Sequence, residues 1–185
     1  MSLPHGLLGL LSYADSTGYD LSKLFNDSLN FFWNAPGSQI YRELDRMEKT
    51  GWVSSRGIVQ EGRPNKRLYS ITPSGREELS RWLSDFQYKP ENIHSAIIMR
   101  IFFGADIAPE KTIELLKEFR KQCAEELISI RSIAAKNVEI YSRIFPGGDL
   151  KKIYWKIAVD SGSTNLRALI KWADRSIQTL KGKNK

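Results

Sequence analysis

A chain of 185 residues with 41% hydrophobic and 26% charged side chains has the balance of a folded globular protein, long enough for one full core or a small domain plus a helical extension. One cysteine, Cys123, and two histidines, His5 and His94, exclude an intrachain disulfide and a zinc cluster of soft donors, so no metal and no cofactor is expected. The net charge of +7 misleads if taken whole: residues 1–87 hold ten Lys+Arg against ten Asp+Glu, and the entire excess falls in 88–185. Only local clusters therefore bear on nucleic-acid binding. No apolar run approaches the roughly 20 residues needed to cross a bilayer, and the opening MSLPHGLLGLLSYAD has no basic segment ahead of its apolar stretch. A soluble, cytoplasmic protein with no membrane partner is expected.

In chain order, Leu3, Leu7, Leu8, Leu10 and Leu11 make a short helix apolar almost all round, with Pro4 in its first turn, which implies a central position. Thr17 as N-cap with Asp20 three residues later opens a second helix carrying Leu21, Leu24, Phe25 and Leu29, ending near Phe32. Pro36 starts a third, in which Ile40, Leu44 and Met47 repeat at helical spacing and Gly51 closes the element. Gln39, Arg42, Arg46 and Lys49 fall on the side away from that stripe. They form a row of donors able to meet base edges and phosphates, or else a solvated face. WVSSRGIVQ and RLYSIT flank EGRPNK and predict a two-stranded hairpin whose tip carries Arg63, Lys66 and Arg67 against Glu61 alone. Thr72 and Pro73 then cap a fourth helix, with Leu79, Trp82, Leu83 and Phe86 expected inward. Helix, helix, helix, hairpin, helix, with donors on the third helix and a basic hairpin tip, is a winged helix over 1–87.

Residues 88–185 read as helical throughout: ENIHSAIIMRIFFG, a long helix from near Pro109 to about Ser142, the turn FPGGD, and a last helix from near Asp149. The long helix, on the order of 50 Å, exceeds what one small core can bury. Its Leu116, Cys123 and Ile130 recur every seven residues beside Leu127, and Leu166, Leu169 and Ile177 repeat on the last helix. These seven predict a coiled-coil-like seam that pairs with a second copy. The expected fold class is thus mostly α with a small two-stranded β wing: an N-terminal winged helix-turn-helix, then a long-helix dimerisation domain over 88–185.

The strings GSQIYRELDRMEKTGWV and EGRPNKRLYSITPSGREEL, with LLGLLSYADSTGYDLSKLF upstream, resemble the signature of PadR-like transcriptional regulators across most of residues 5–83. The second half, with its FFG segment, paired helices and Leu-x-x-Leu-Ile-x-Trp ending, resembles the C-terminal domain of the PadR subfamily related to virulence activators. That resemblance implies DNA-facing positions at Ser38, Gln39, Tyr41 and Arg42 on the third helix and at Arg63, Lys66 and Arg67 on the wing. Tyr41 is left open between packing with a phosphate contact and packing alone. The resemblance also implies a homodimer on double-stranded DNA at a pseudo-palindromic operator, with repression the usual outcome. Tyr154, Trp155 and Trp172 are then candidates for a pocket that takes a small aromatic effector, against plain core.

Two rivals are set beside that expectation. An enzyme is not expected: no Gly-rich phosphate loop follows a strand, and Cys123 lies on an apolar stripe, where a thiol is inert. A winged helix used only as a protein-interaction module remains the alternative; it should show exposed apolar side chains on the third helix and wing, and none are expected there.

Overall fold

In the computed structural model, residues 3–30, 32–59, 65–85 and 95–182 are described. Arg63, together with Gly62, Pro64, Phe86 and His94, lies outside them. The chain divides into two compact units, one within Met1–Tyr88 plus Ile140–Asp149, the other within Lys89–Glu139 plus Leu150–Lys185. A simple division at 87/88 assigns no later residue to the N-terminal unit, whereas Ile140–Asp149 clusters there.

The first unit contains α1 (Leu3–Leu11), β1 (Ser16–Thr17), α2 (Gly18–Ser28), α3 (Gly37–Lys49), β2 (Val53–Ile58), β3 (Lys66–Ile71) and α4 (Pro73–Ser84). Leu3, Leu7, Leu8, Leu10 and Leu11 are all buried, so α1 is the central helix its composition implies. Leu21 and Phe25 of α2, Ile40, Leu44 and Met47 of α3, and Val53, Tyr69 and Ile71 of the strands close around it in one core. Thr17 caps α2 as expected, accepting from the Asp20 amide at 3.2 Å and donating to its carboxylate at 2.7 Å. The helix stops earlier than its apolar spacing suggests, at Ser28, with Leu29 as C-cap.

The sheet has three strands, in the order β1-β3-β2, all antiparallel. The two-stranded wing expected from sequence lacked β1, a two-residue strand too short for any alternation to register. Ser16 pairs with Tyr69, and Val53 to Ile58 pair with Ile71 back to Lys66. Strand β3 is thereby held on both edges, and β2 and β3 project as the wing.

The wing leaves and rejoins the helices at one point. Gly51 (φ +76°) ends α3, and the Thr72 hydroxyl lies 2.6 Å from the Gly51 carbonyl and 3.0 Å from that of Trp52. The same oxygen accepts from the Gly75 amide at 3.0 Å as the N-cap of α4. A Cβ at Gly75 would stand 2.1 Å from the Trp52 carbonyl oxygen, so α4 reaches this junction only with glycine there. Further along α4, Trp82 and Leu83, expected inward, are largely exposed. Trp82 stacks on His5 at 4.8 Å instead of entering the core.

At the other end of the first unit, the Tyr141 hydroxyl donates to Asp27 at 3.0 Å. Phe145 packs on Tyr13 and Tyr141 at centroid distances of 5.3 and 5.8 Å. Burial, then the hydrogen bond to Asp27 and its charge, push the Tyr141 phenol up to about 12.

The rest of the described chain is helical: α5 (Ala96–Phe102), a 3-10 turn (Gly104–Asp106), α6 (Pro109–Ser129), a π-helical turn (Ile130–Ala134), α7 (Ala135–Ile144) and α8 (Gly148–Gly182), all of it in the second unit except Ile140–Asp149. The expected long helix is thus real but interrupted by the π turn. It runs antiparallel to α8 in this unit. Ile113 and Leu116 pack with Ala173 and Ile177, Phe119 meets Trp172 edge-on at 5.9 Å, and Arg120 donates to Asp174 at 2.6 Å. Ile130 lies over Gly162, and Lys152 donates to Glu139 at 2.5 Å.

Three outcomes follow for stability. Gly75→Ala forces a methyl onto a backbone carbonyl and should destabilise the first unit by about 1–3 kcal/mol in thermal unfolding. Gly9→Ala, where a Cβ meets nothing within 4 Å, should be neutral or slightly stabilising by helix propensity. For Tyr141, the folded-state pKa lies above the unfolded value of 10.0, so its contribution is complete below pH 10 and is lost as pH rises towards 12. An alkaline unfolding series should show that loss in the wild type, and Tyr141→Phe should abolish this part of the pH dependence.

Candidate nucleic-acid interface

Burial of Ile40, Leu44 and Met47 fixes the rotation of α3 and turns Ser38, Gln39, Arg42, Arg46 and Lys49 to solvent. Pro36 is the N-cap, no side chain caps the first turn, and no acidic residue lies in it. The Gln39 and Ile40 amides donate to the Pro36 carbonyl at 2.9 and 3.2 Å, which leaves the amides of Gly37 and Ser38 as the open donors at the start of α3, a setting that favours anions. Tyr41 leans on α2, where a Cβ at Gly18 would lie 2.4 Å from its ring. Nearly half of Tyr41, 45%, nonetheless stays exposed. Packing and outward access thus coexist at Tyr41.

The cations on this surface are not equivalent. Arg46 is paired with Glu43 one turn back, at 2.9–3.0 Å. Among the described residues, Arg42, Lys49, Arg56 and Lys66 take part in no ion pair, and all four are exposed. Arg67, expected at the wing tip, stands instead within β3 opposite Gly57. Its guanidinium pairs with Glu48, reaches Asp45 at 3.4 Å, and donates to the Ser55 hydroxyl from Nε and Nη2 at 3.1 and 2.8 Å. Ser55 donates in turn to Glu48 at 2.6 Å, and the guanidinium covers the Tyr69 ring at 5.3 Å. The Ser55 hydroxyl first, and then Arg67, hold the Glu48 carboxyl below the usual carboxylate range. Asp45, Glu48 and Ser55 come from two different elements and were not foreseen; no spacing within a single element could signal their meeting. The wing also carries apolar side chains, with Ile58 36% and Val59 84% exposed.

The residues expected to form the dimer seam lie elsewhere than on an open face. Leu116, Cys123, Ile130, Leu166 and Ile177 are buried within the single chain, and Leu127 and Leu169 are half-buried. Their seven-residue repeat is satisfied inside the hairpin of this chain, since an antiparallel neighbour covers it as well as a second copy can. Burial, with Glu126 adding, also pushes the Cys123 thiol up, away from the reactive thiolate. The large apolar side chains left uncovered on α8 are Leu150, Ile153, Tyr154 and Ile157, at helical spacing. Tyr154 and Trp155 lie about 26 Å along α8 from Trp172 at 1.5 Å per residue. Trp172 is engaged with Phe119. One chain therefore does not bring these three aromatics together in a pocket.

Family models match both halves of the chain: the transcriptional regulator PadR-like family over residues 7–81, and the virulence activator alpha C-terminal family over 93–181. The chain carries a PadR-like domain followed by a virulence activator alpha C-terminal domain. Over 85 residues this PadR-like chain is 45% identical to a probable transcriptional regulator of Mycobacterium tuberculosis, covering 46% of this chain and 45% of the relative. It is 32% identical over 116 residues to the negative transcriptional regulator PadR of Bacillus subtilis, covering 63% and 64% respectively. The chain thus spans about half to just under two thirds of the length of these curated relatives. Its fold is similar to the crystal structure of Bacillus subtilis PadR in complex with operator DNA, with TM-score 0.79 at 22% identity over 97% of this chain and 99% of that one. It is also similar to the Vibrio cholerae virulence activator AphA, with TM-score 0.74 at 26% identity over 98% and 99%. The mostly helical winged-helix fold expected from sequence is therefore the fold of this PadR-like protein, with β1 added. Among the described residues, no helix is long and apolar enough to cross a membrane.

Proposed function

We propose that this chain is a sequence-specific, double-stranded-DNA-binding transcriptional repressor, acting in the cytoplasm as a homodimer on a pseudo-palindromic operator. The observation that carries the proposal is the outward face of α3, where Arg42 stands exposed and without an ion pair beside Ser38, Gln39 and the uncapped first turn. In this reading α3 enters the major groove. Arg42 and Gln39 meet base edges, while Ser38, Tyr41 and the first-turn amides meet phosphate. Arg46 adds a contact that it must share with Glu43. Lys66, and Arg63 by sequence alone, follow the backbone from the wing. The operator complex of the Bacillus subtilis relative supports the assignment.

A dimer is supported by the open stripe Leu150, Ile153, Tyr154 and Ile157. Apolar rows of this size on a long helix are best buried against the same row of a second copy. The exposed Ile58 and Val59 favour one further reading, a wing that contacts protein. In the DNA-binding reading the same side chains suit the sugar edges of a minor groove.

Binding to duplex fragments from the protein's own upstream region, against random duplex over a salt series, tests the function. Arg42→Ala should cost about 1–3 kcal/mol on the preferred fragment and relax its selectivity. Lys66→Ala should weaken all duplexes alike and reduce the salt slope by about 1. Equal binding of every fragment, with a slope that neither change moves, would make the protein-interaction reading the better one. For the dimer, sedimentation of the Ile153→Glu/Ile157→Glu protein should show a monomer where the wild type is a dimer; an unchanged dimer would place the interface elsewhere.

A further inference from the structure

We propose, on the footing of the DNA-binding reading above, that Arg67 is a positioning residue of the DNA-binding surface. It ties β3 to the last turn of α3 through Glu48 and Asp45 and so sets the wing against the recognition helix, without itself holding a phosphate. Sequence position alone made Arg67 one of three equivalent wing cations, and the geometry separates it from the others.

A guanidinium has five N–H donors in a fixed plane. Four of the five are directed at protein acceptors: one at Asp45, one at Glu48 and two at Ser55. Ser55 completes the circuit by donating to the second oxygen of Glu48, so its hydroxyl is fully used. The network joins three elements, α3 through Asp45 and Glu48, β2 through Ser55, and β3 through Arg67. The Tyr69 ring beneath is almost wholly buried, which anchors it to the core. Charge points the same way. One cation faces two carboxylates here, leaving the cluster with an excess of negative charge that a phosphate would avoid. Removing Arg67 would both release the wing strand and bare Asp45 and Glu48 beside the DNA.

The test is a double-mutant cycle on the full chain, with wild type, Glu48→Gln, Arg67→Gln and the double variant. Each is titrated with the preferred fragment and with random duplex, at a temperature where circular dichroism shows every variant folded. Amide hydrogen exchange of β2 and β3 is followed in the DNA-free proteins. Arg67→Gln should lose about tenfold in affinity for the preferred fragment with Glu48 present, and less than about threefold with Glu48→Gln, because the two act as one unit. Random-duplex affinity should fall less than specific affinity, a difference that a merely stabilising residue would not produce. Exchange in β2 and β3 should accelerate in both single variants. Arg67→Lys should behave as Arg67→Gln, since an ammonium cannot span Asp45, Glu48 and Ser55 together, and it serves if the glutamine variant does not fold. Equal losses in the two Glu48 backgrounds would show a direct phosphate contact and overturn the proposal, as would unchanged exchange. If the wild type shows no fragment preference, it is the DNA-binding reading that fails, and the exchange rates still decide whether Arg67 holds the wing.

Discussion

The N-terminal unit depends on one junction, where the end of α3, the root of the wing and the start of α4 meet around the Trp52 carbonyl. Thr72 serves as helix cap and as cross-link to Gly51 and Trp52, and Gly75 allows the approach. Because β2 leaves and β3 returns at this point, the wing is anchored at its base by backbone groups that have no freedom to shift. The rotation of α3 is fixed separately, by burial of Ile40, Leu44 and Met47. Together these constraints hold two separate features, the polar face of α3 and the β2–β3 hairpin, in one fixed arrangement, the surface proposed above to meet DNA. A site built on rigid elements keeps its geometry without reorganising when it binds.

Electrostatically, this surface works by subtraction. Helix α3 carries three basic residues, Arg42, Arg46 and Lys49, and three acidic ones, Glu43, Asp45 and Glu48, so its net charge attracts nothing. Pairing inside the protein removes Arg46 and Arg67 from the list of free cations and removes Glu43 and Glu48 from the list of free anions. Among the described residues, the exposed cations without an ion pair are Arg42 and Lys49 on α3, Arg56 on β2 and Lys66 on β3. Modest nonspecific attraction with a few well-placed donors suits selectivity, because the phosphate term that acts on every sequence stays small.

Much of the first unit was legible in the sequence because its signals are local. The Thr17 and Thr72 caps, the Ile40, Leu44, Met47 stripe and the turn at Gly51 each reside in a few consecutive residues, and the structure has them where spacing puts them. Illegible were the features made by residues far apart in the chain. The strand β1 has no pattern of its own, and the Arg67 network needs three elements in place before it exists. In the second unit, the repeat of Leu116, Cys123 and Ile130 correctly reports a helix with an apolar seam. Periodicity says only that the seam is covered, and the chain's own α8 covers it as well as a second copy could. On α8 the same spacing continues through Leu150, Ile153 and Ile157, which this chain leaves exposed; periodicity does not tell the covered part of such a stripe from the open part.

The π-helical turn at Ile130–Ala134 bears on how such a chain can change over time. A π turn holds one residue more than the α-helical turn it replaces, so everything beyond it is rotated by about 100° relative to an uninterrupted helix. Ile130 and Ala134 are buried within the turn, while Glu139, beyond it, accepts from Lys152 of α8. Loss of a single residue from this stretch would restore regular α-helix and swing the buried Val138, and Glu139 with its partner Lys152, out of the places they hold in the second unit, although no side chain there had changed. Point substitutions are thus absorbed one at a time along this helix, whereas a one-residue deletion acts on the whole segment after it. The number of residues between Ile130 and Glu139 therefore matters more to this unit than the identity of the exposed ones among them.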